Sequence, residues 1–482
     1  MRHNRCTIRK KRKKRGLLMG DTEKKDKKKE KTIWDKSDEK KLEEFCKDYR
    51  VFLSSHKTER ENVAGMEEGL KAAGARSLQE AVREGRSLAA GELVYADMMG
   101  KSLMIVRIGK KPMTEGIRLL GAHIDSPRLD LKQHPLYEDT ELAMLDTHYY
   151  GGIKKYQWVT LPMALHGVIV KKDGTAVQVC IGEDPDDPVF GCSDLLIHLA
   201  GRQMSKKLSE GVEGEKLNVL VGSRPLKDSD EENAVKANVL HILKKKYDVK
   251  EEDLVSAEIE VVPAGPARDY GLDRSMIMGY GQDDKVCAYP SYRAILDQKD
   301  PEYTSICLLT DKEEIGSVGA TGMHSRFFEN TLAEVMNLQG CYSELELRRV
   351  LCKTRVLSSD VSAGFDPNYP DVMEKNNCAY LGRGPVFNKY TGARGKSGSN
   401  DANAEYIAFL RRLLDKEDII YQTSELGKVD EGGGGTIAYI LANLGMEVID
   451  FGVAVLNMHA PWEITSKADI YETYRAYRAF LK

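Results

Sequence analysis

Hydrophobic and polar residues follow one another in patterns that predict helical structure first and strands afterwards. From Asp38 to about Ala73, apolar residues recur at helical spacing among many charged ones, which predicts a helical segment. Two strand-like apolar runs then meet at Met98–Lys101, which predicts a β-hairpin. The next apolar run, "GIRLLGAHID", predicts a strand that ends in a histidine and an aspartate.

The pattern changes twice more towards the C-terminus. Residues 149–182 are rich in β-branched and aromatic residues and are broken by Gly and Asp-Gly turns, which favours a β-rich module. This region continues through a predicted helix near Asp194–Leu208 and a predicted strand, "AEIEVVPAG". From about Met276 onward, apolar strands alternate with helices, a pattern typical of an α/β sheet covered on both faces.

These patterns predict an α/β domain, with a mixed sheet flanked by helices, that is interrupted by a β-rich insertion. The chain has 482 residues, more than one hydrophobic core usually serves, so at least two domains are expected. The predicted α/β domain comprises residues 33–132 and 273–482, and the insertion comprises residues 133–272. Residues 1–32 form a separate basic tail.

Composition narrows the class of protein. Hydrophobic residues make up 41% and charged residues 30% of the chain, and the mean hydropathy is −0.45, as in soluble globular proteins. No apolar run approaches the roughly eighteen residues that a membrane helix needs. Nine cysteines include no Cys-x-x-Cys pair, which favours free thiols in a reducing compartment. We therefore expect a cytoplasmic protein.

The net charge of −3 conceals an uneven distribution. Residues 1–32 carry fifteen Lys or Arg against four Asp or Glu, so the rest of the chain carries −14. A basic tail can bind nucleic acid or an anionic membrane surface, but a solvated, disordered extension is the favoured interpretation. The tail lacks the apolar stretch of a signal peptide, and Met19 offers an alternative start.

Side chains suited to metal binding follow several of the predicted strands. Four clusters do so, and a fifth lies in the polar turn "GYGQDDK". Ligands of an open α/β sheet bind outside the carboxyl ends of its strands, so clusters far apart in the sequence can converge there. The five clusters are His123 with Asp125, Asp283 with Asp284, Glu313 with Glu314, Asp360, and His459.

Two histidines and several carboxylates form a donor set for zinc, manganese or cobalt in a site that also holds water. Two such ions about 3.5–4 Å apart would activate a shared water for hydrolysis. Each cluster alone is weak evidence, because histidines at strand ends are often structural and paired acidic residues are often solvated. Glu313 and Glu314 are more informative, since one could bind metal while the other takes a proton from the water.

In this order the five clusters resemble the aspartyl aminopeptidase and vacuolar aminopeptidase family of dinuclear zinc exopeptidases. The resemblance extends from about residue 38 to the C-terminus. It is carried by "HIDSPRLDLK", "YGGIKKYQWVT", "DLLIHL", "DKEEIGS", "SSDVSAGFDPNYP", "GGGGTIAYILA" and "LNMHAPWE". It implies a zinc-dependent aminopeptidase that removes single N-terminal residues from peptides.

The resemblance also implies a set of metal ligands. His123 and Asp360 would bind one metal ion, and Glu314 and His459 would bind the other. Asp283 would bridge the two ions. The expected cofactor is two divalent ions per subunit, Zn²⁺ first, with Co²⁺ or Mn²⁺ as alternatives.

Three further residues receive catalytic roles from the resemblance. Asp125 would orient His123, which lies two residues before it on the same face of the strand. Glu313 would be the general base and acid. His198, in "DLLIHL", matches a histidine that in relatives reaches into the active site of the partner subunit. A histidine packed at an interface is the alternative reading of His198.

The resemblance implies an assembly as well as a reaction. The insertion is similar to the family's dimerisation domain, so dimers would build a dodecamer that admits peptides or unfolded termini. Two stretches, "GQDDK" and "NKYTGARGKSGSN", depart from the pattern of the better-known members. These departures suggest a bacterial branch. Since the second stretch contributes to the substrate pocket in the family it resembles, we expect neutral or broad specificity.

Two other classes of function fit the sequence less well. "GARGKS" looks like part of a phosphate-binding loop, but Tyr390 stands where that loop needs glycine. A catalytically inactive scaffold or cargo protein of the same fold would be favoured by loss of a metal ligand, and all five ligands are present. A nucleic-acid-binding role of residues 1–32 would be independent of the metal site.

Overall fold

Three β-sheets organise residues 32–482, the part of the chain that the computed structural model describes. The predicted basic tail lies outside the described residues except for Thr32, whose side chain caps the first helix. The strands are β1 (Arg76–Ser77), β2 (Leu93–Met98), β3 (Ser102–Arg107), β4 (Arg118–His123), β5 (Arg128–Asp139), β6 (Leu142–Tyr150), β7 (Met163–Val170), β8 (Ala176–Ile181), β9 (Val219–Gly222), β10 (Ala257–Pro263), β11 (Arg268–Tyr270), β12 (Met276–Gly279), β13 (Ser305–Thr310), β14 (Arg355–Ser358), β15 (Ser362–Ala363), β16 (Val386–Asn388), β17 (Gln422–Thr423), β18 (Glu447–Gly452), β19 (Ala454–Leu456) and β20 (Glu463–Ser466).

Helices flank these sheets. They are α1 (Ile33–Lys36), α2 (Glu39–Ser55), α3 (Glu59–Ala72), α4 (Leu78–Glu84), α5 (Gly201–Met204), α6 (Leu208–Gly211), α7 (Ala234–Tyr247), α8 (Gln282–Asp297), α9 (Phe327–Leu338), α10 (Glu344–Lys353), α11 (Ala404–Lys416), α12 (Ala438–Ala442) and α13 (Lys467–Leu481). No helix within residues 32–482 is both long enough and apolar enough to cross a membrane.

The largest sheet has nine strands in the order β1-β2-β3-β13-β4-β14-β18-β16-β17. Its centre is parallel, because β4 pairs in parallel with both β13 and β14, and β14 pairs in parallel with β18. The flanking strands β3 and β16 run antiparallel to their central neighbours. The predicted mixed α/β sheet is therefore confirmed, and the carboxyl ends of β4, β13 and β14 share one edge.

Both faces of this sheet are buried. Successive residues of a strand point to opposite faces, so Leu119 of β4 packs in one hydrophobic cluster and Leu120 packs in the other. Tyr477 of α13 belongs to the cluster of Leu120, and Leu332 of α9 belongs to that of Leu119. Helices on each side thus hold the central strands, and with them the strand ends, in place.

A second sheet has six strands in the order β8-β7-β10-β5-β6-β9. It has a hydrophobic cluster of its own, in which Trp158, Val261 and Leu217 are fully buried. Its strands are antiparallel throughout. The predicted boundary of the insertion at residue 133 stays a prediction, and β5 of this sheet begins at Arg128.

Two predicted helices differ in the structure. The helical segment from Asp38 to about Ala73 is two helices, α2 and α3. A capping box at Thr58 starts α3. The Thr58 side chain accepts a hydrogen bond from the Glu61 N–H, and the Glu61 carboxylate accepts one from the Thr58 N–H. Such reciprocal caps mark the start of a helix.

The prediction of a helix near Asp194–Leu208 is wrong. The chain instead forms a 3₁₀ turn at Ile197–Leu199 and the short helices α5 and α6. Ile197 is 69% exposed and Leu199 is 68% exposed. Because helices gain most of their stability by packing an apolar face, this segment has no buried face within the chain to sustain a longer helix.

Candidate metal centre

The five predicted ligands lie together, three of them at the carboxyl ends of strands of the nine-stranded sheet. His123 is the last residue of β4, and Asp360 follows β14 by two residues. Glu314 lies in the 3₁₀ turn after β13, and Asp283 lies in the first turn of α8. His459 follows β19, which continues from β18. The structure therefore brings together residues that are separated by more than three hundred positions.

The ligand atoms form two groups that share one carboxylate. His123, Asp283 and Asp360 form one group, and Asp283, Glu314 and His459 form the other, with ligand atoms within 4.8 Å of one another. The two oxygens of Asp283 face different histidines: Oδ1 lies 3.1 Å from His123 Nε2, and Oδ2 lies 3.3 Å from His459 Nε2. This is the arrangement that a bridging carboxylate requires.

The donor set fits divalent metal ions. Imidazole nitrogens and carboxylate oxygens without a thiolate suit zinc, cobalt or manganese. Glu314 Oε1 is buried and has no hydrogen-bond partner among the described residues, although buried polar atoms are normally paired. Its other oxygen, Oε2, lies 3.5 Å from His459 Nε2. A cation would coordinate the unpaired oxygen and would neutralise part of the negative charge of the clustered carboxylates.

The pKa values within the cluster also favour bound metal ions. Burial, reinforced by Asp283, holds the pKa of Glu314 well above its ordinary value. Burial also raises the pKa of Asp360, reinforced by Glu313 and Asp283. For Asp283 burial acts in the same sense, but hydrogen bonds from His123 and His459 outweigh it and lower its pKa. The cluster is thus short of positive charge, which bound dications would supply.

Glu313 lines the cavity that opens over the cluster and belongs to neither ligand group. Burial raises its pKa to about 7, with Asp125 and Asp283 adding to the rise and the two histidines opposing it. A carboxyl group that titrates near neutral pH can both take up and release a proton during catalysis. Its position and pKa therefore suit a general base and acid.

Asp125 holds more than one element of the site. His123 Nδ1 donates to the Asp125 backbone carbonyl at 3.0 Å and lies 3.3 Å from carboxylate Oδ1. The two carboxylate oxygens accept the backbone N–H groups of Glu313, at 3.1 Å, and Glu314, at 3.2 Å. Asp125 thus lies where it can orient His123, and it also fixes the turn that carries both glutamates, which the sequence did not predict.

Glu463 is a site residue that sequence reasoning missed. It is buried at the start of β20, where Oε1 accepts the His459 N–H at 2.8 Å and Oε2 accepts the Asp283 N–H at 2.9 Å. Burial, reinforced by Asp283, raises its pKa to about 8. The available signal was a lone carboxylate at the start of the apolar run "EIT", four residues after His459.

His198 lies outside the cluster within its own chain. It occupies the 3₁₀ turn Ile197–Leu199 and is exposed to solvent. The role that the sequence predicts for it involves the active site of a partner subunit, so that role stays a prediction.

A cavity of about 490 Å³ opens over the cluster. Among the described residues that line it there is no Lys or Arg. Gly433, Gly434 and Gly435 form part of the wall. Its ionisable lining residues are Asp283, Glu313, Glu314, Asp360, Glu425, Tyr439 and His459.

Together, the helix-covered mixed sheet and the histidine–carboxylate cluster fit a metal-dependent hydrolase. The family described as aminopeptidase I zinc metalloprotease (M18) matches residues 52–481, and the chain belongs to this family. It is a zinc-dependent aminopeptidase, as the resemblance in its motifs had implied.

Known proteins of this family are similar over almost the whole chain. A probable M18 family aminopeptidase 1 from Clostridium acetobutylicum is 63% identical over 454 residues, which cover 94% of this chain and 98% of that protein. The crystal structure of an M18 family aminopeptidase from Thermotoga maritima superposes with a TM-score of 0.90 at 45% identity, covering 94% of this chain and 99% of that one. Neither supports an inactive scaffold.

A more distant structure shares the fold. The S. cerevisiae mApe1 dodecamer superposes with a TM-score of 0.74 at 19% identity, covering 91% of this chain and 97% of that chain.

Proposed function

We propose that this aminopeptidase cleaves single residues from the N-termini of peptides with two divalent ions per subunit, held by the two groups that share Asp283. The observation that supports this most directly is the orientation of Asp283, whose two oxygens face different histidines. Zn²⁺ is the proposed ion, with Co²⁺ or Mn²⁺ as alternatives. When bound, the ions would lower the pKa of water and polarise the substrate carbonyl.

The ligand assignment follows the two groups. His123 and Asp360 would hold one ion, Glu314 and His459 would hold the other, and Asp283 would contribute to both sites. Around them, Asp125 orients His123 and the turn of the glutamates, and Glu463 holds the backbone of Asp283 and His459.

Glu313 carries the proton in the proposed mechanism. Its carboxylate takes a proton from the water that attacks the first peptide carbonyl carbon. As the C–N bond breaks, Glu313 gives that proton to the leaving amine, so it ends the cycle as it began. A pKa of about 7 suits both halves of this exchange.

We further propose that the chain works in the cytoplasm as dimers that assemble into a dodecamer, with the six-stranded sheet as the dimerisation domain. In support, exposed apolar side chains surround His198, among them Leu196, Ile197 and Leu199, and such patches mark protein interfaces. His198 would then reach a partner's cavity and help to hold the substrate.

The test of the proposed function combines metal analysis with activity. Chelation should abolish hydrolysis of a leucine amide, and added Zn²⁺, Co²⁺ or Mn²⁺ should restore it. His123→Ala and His459→Ala should each lower the metal content per chain, measured by mass spectrometry after dialysis. Full metal content in both variants would contradict the ligand assignment, and activity that resists chelation would contradict the metal dependence.

A further inference from the structure

One short segment of the six-stranded sheet reaches both halves of the metal centre. Strand β6 ends at Tyr150, and Gly151 and Gly152 follow it. The Tyr150 hydroxyl donates to Asp125 Oδ2 at 2.8 Å. Two residues further on, the Gly152 carbonyl accepts from His459 Nδ1 at 2.8 Å. The segment therefore touches the residues that support one metal group and a ligand of the other.

The hydrogen bond to the Gly152 carbonyl requires that His459 carries a proton on Nδ1. A backbone carbonyl can only accept a hydrogen bond, so Nδ1 must carry the proton. In the neutral ring, Nε2 then keeps its lone pair, and this atom faces Asp283 and Glu314 at 3.3 and 3.5 Å. Histidine ligands commonly have their tautomer and ring angle fixed in this way by an acceptor on the far side of the ring.

The contact with Tyr150 fixes Asp125. This carboxylate accepts the N–H groups of Glu313 and Glu314 as well as the tyrosine hydroxyl, so its position sets that of the glutamate turn. Burial, reinforced by Asp125, raises the pKa of Tyr150. The hydroxyl therefore stays protonated and remains a donor over the working pH range.

Tyr150 is itself held rigidly. The guanidinium of Arg128 lies over its ring, 3.8 Å from the centroid. That guanidinium pairs with Asp130 at 2.8 Å and with Glu260 at 3.2 Å, both on strands of the six-stranded sheet. The Arg128 guanidinium, paired with these two carboxylates, packs on the Tyr150 ring. The ring therefore holds its hydroxyl in a fixed position beside Asp125.

Gly151 allows the close approach. Its φ is +78°, which glycine adopts without strain, and a Cβ placed there would lie 3.3 Å from Glu314 Oε2. Any other residue would strain the backbone and press on a proposed ligand.

We propose that Tyr150 and the Gly152 carbonyl are positioning groups through which the six-stranded sheet orients the metal-facing atoms of His459 and of the Glu313–Glu314 turn. The proposal rests on the ligand assignment of the proposed function. It means that the sheet that carries the proposed dimer surface also completes the active site of its own chain.

The test is Tyr150→Phe, which keeps the ring over Arg128 and removes only the hydroxyl. The matched control is Tyr406→Phe, because Tyr406 is also a buried tyrosine whose hydroxyl donates a hydrogen bond, here to the Val356 backbone carbonyl at 2.9 Å. Both variants are purified, stripped of metal and reloaded with Co²⁺. The readouts are the visible absorption spectrum of Co²⁺, metal affinity by competition with a chelator, and kcat and KM separately.

We expect Tyr150→Phe to lose about 10- to 100-fold in kcat or metal affinity, with KM little changed and the Co²⁺ spectrum altered. Tyr406→Phe should match wild type in all of these. Gly151→Ala should alter the Co²⁺ spectrum as Tyr150→Phe does, and it tests the same segment if Tyr150→Phe is poorly folded.

Wild-type spectra and metal affinity in both Tyr150→Phe and Gly151→Ala would overturn the proposal, as would equal losses in Tyr406→Phe. These outcomes are distinct from failure of the ligand assignment, which would show as full metal content in His123→Ala and His459→Ala.

Discussion

Buried carboxylates in this site differ according to the group that each one faces. Asp283 faces two histidines, and its pKa is lowered, whereas burial raises the pKa of Glu314 and Asp360. Glu313 lies between these extremes, at about 7. Residues of the same chemical type can thus bind metal, bridge two ions or move a proton, because their surroundings separate their pKa values.

Glu425 is the cavity residue that bears on substrate choice. It is the lining carboxylate outside the proposed ligands and Glu313, and no Lys or Arg among the described residues lines the cavity. We expect lysine and leucine amides to be cleaved faster than aspartate amides, because a second negative charge is unfavourable there. Glu425→Gln should lower kcat/KM for the lysine amide relative to the leucine amide by roughly tenfold, about 1.4 kcal/mol.

The control for this prediction is Glu431→Gln, an exposed carboxylate that does not line the cavity. A ranking with the aspartate amide first, or an unchanged lysine-to-leucine ratio in Glu425→Gln, would contradict the role of Glu425.

Between elements, a buried ionic network joins α3 to the six-stranded sheet. His166 of β7 contacts Glu61 of α3 through Nδ1 at 2.7 Å, and it contacts Glu183 through Nε2 at 3.0 Å. Lys57 also pairs with Glu183, at 2.6 Å. Burial lowers the pKa of His166, but hydrogen bonds with Cys180 and the two glutamates outweigh burial and raise it to about 11.

This raised pKa predicts how stability depends on pH. The folded chain holds the His166 proton more tightly than the unfolded chain, whose histidine pKa is near 6.5. Its contribution is therefore complete below pH 6.5 and is lost as pH rises towards about 11. We expect the melting temperature to fall less steeply over this range in His166→Gln than in wild type.

His166→Gln should also be destabilised at neutral pH by about 3–5 kcal/mol, since it leaves Glu61 and Glu183 with less positive charge. The exposed residue His134 provides the control, and His134→Gln should keep the wild-type dependence on pH. Parallel melting curves for wild type and His166→Gln at every pH would refute the assignment.

Local patterns predicted elements well where a core covers them. The β2–β3 hairpin and strands β4 and β10 lie where apolar alternation and turns placed them. The helix near Asp194–Leu208 failed because its apolar residues face solvent within the chain. The break between α2 and α3 depends on a cap at Thr58, which a pattern of apolar positions does not register.

Most residues of the site could be predicted from the sequence, but two supporting residues could not. Motif order singled out the five proposed ligands together with Glu313 and Asp125, and the structure brings these seven residues together. Glu463 and Tyr150 escaped because their contacts join distant positions: Glu463 to Asp283, and Tyr150 to Asp125. The residues next to Glu463 and Tyr150 in the sequence do not indicate that their side chains support the metal site.

On the scale of the whole molecule, an exposed apolar segment tests the proposed assembly. Ile197 is 69% exposed beside Leu196 and Leu199. We expect the wild-type chain to sediment as a large homo-oligomer and Ile197→Glu to sediment as smaller species, because a charge opposes burial of that patch. The control is Val51→Glu on α2, an exposed apolar residue, which should keep the wild-type assembly. A monomeric wild type, or an unchanged Ile197→Glu assembly, would contradict the proposed interface.

The proposed mechanism is tested most directly by measuring metal content and turnover together in Glu313→Gln. We expect two divalent ions per chain, as in wild type, because Glu313 belongs to neither ligand group. We also expect a loss of about 10²- to 10⁴-fold in kcat on a leucine amide, because the glutamine can neither accept nor return the proton. Retained metal with near wild-type kcat would show that Glu313 is not the acid–base group and would contradict the mechanism.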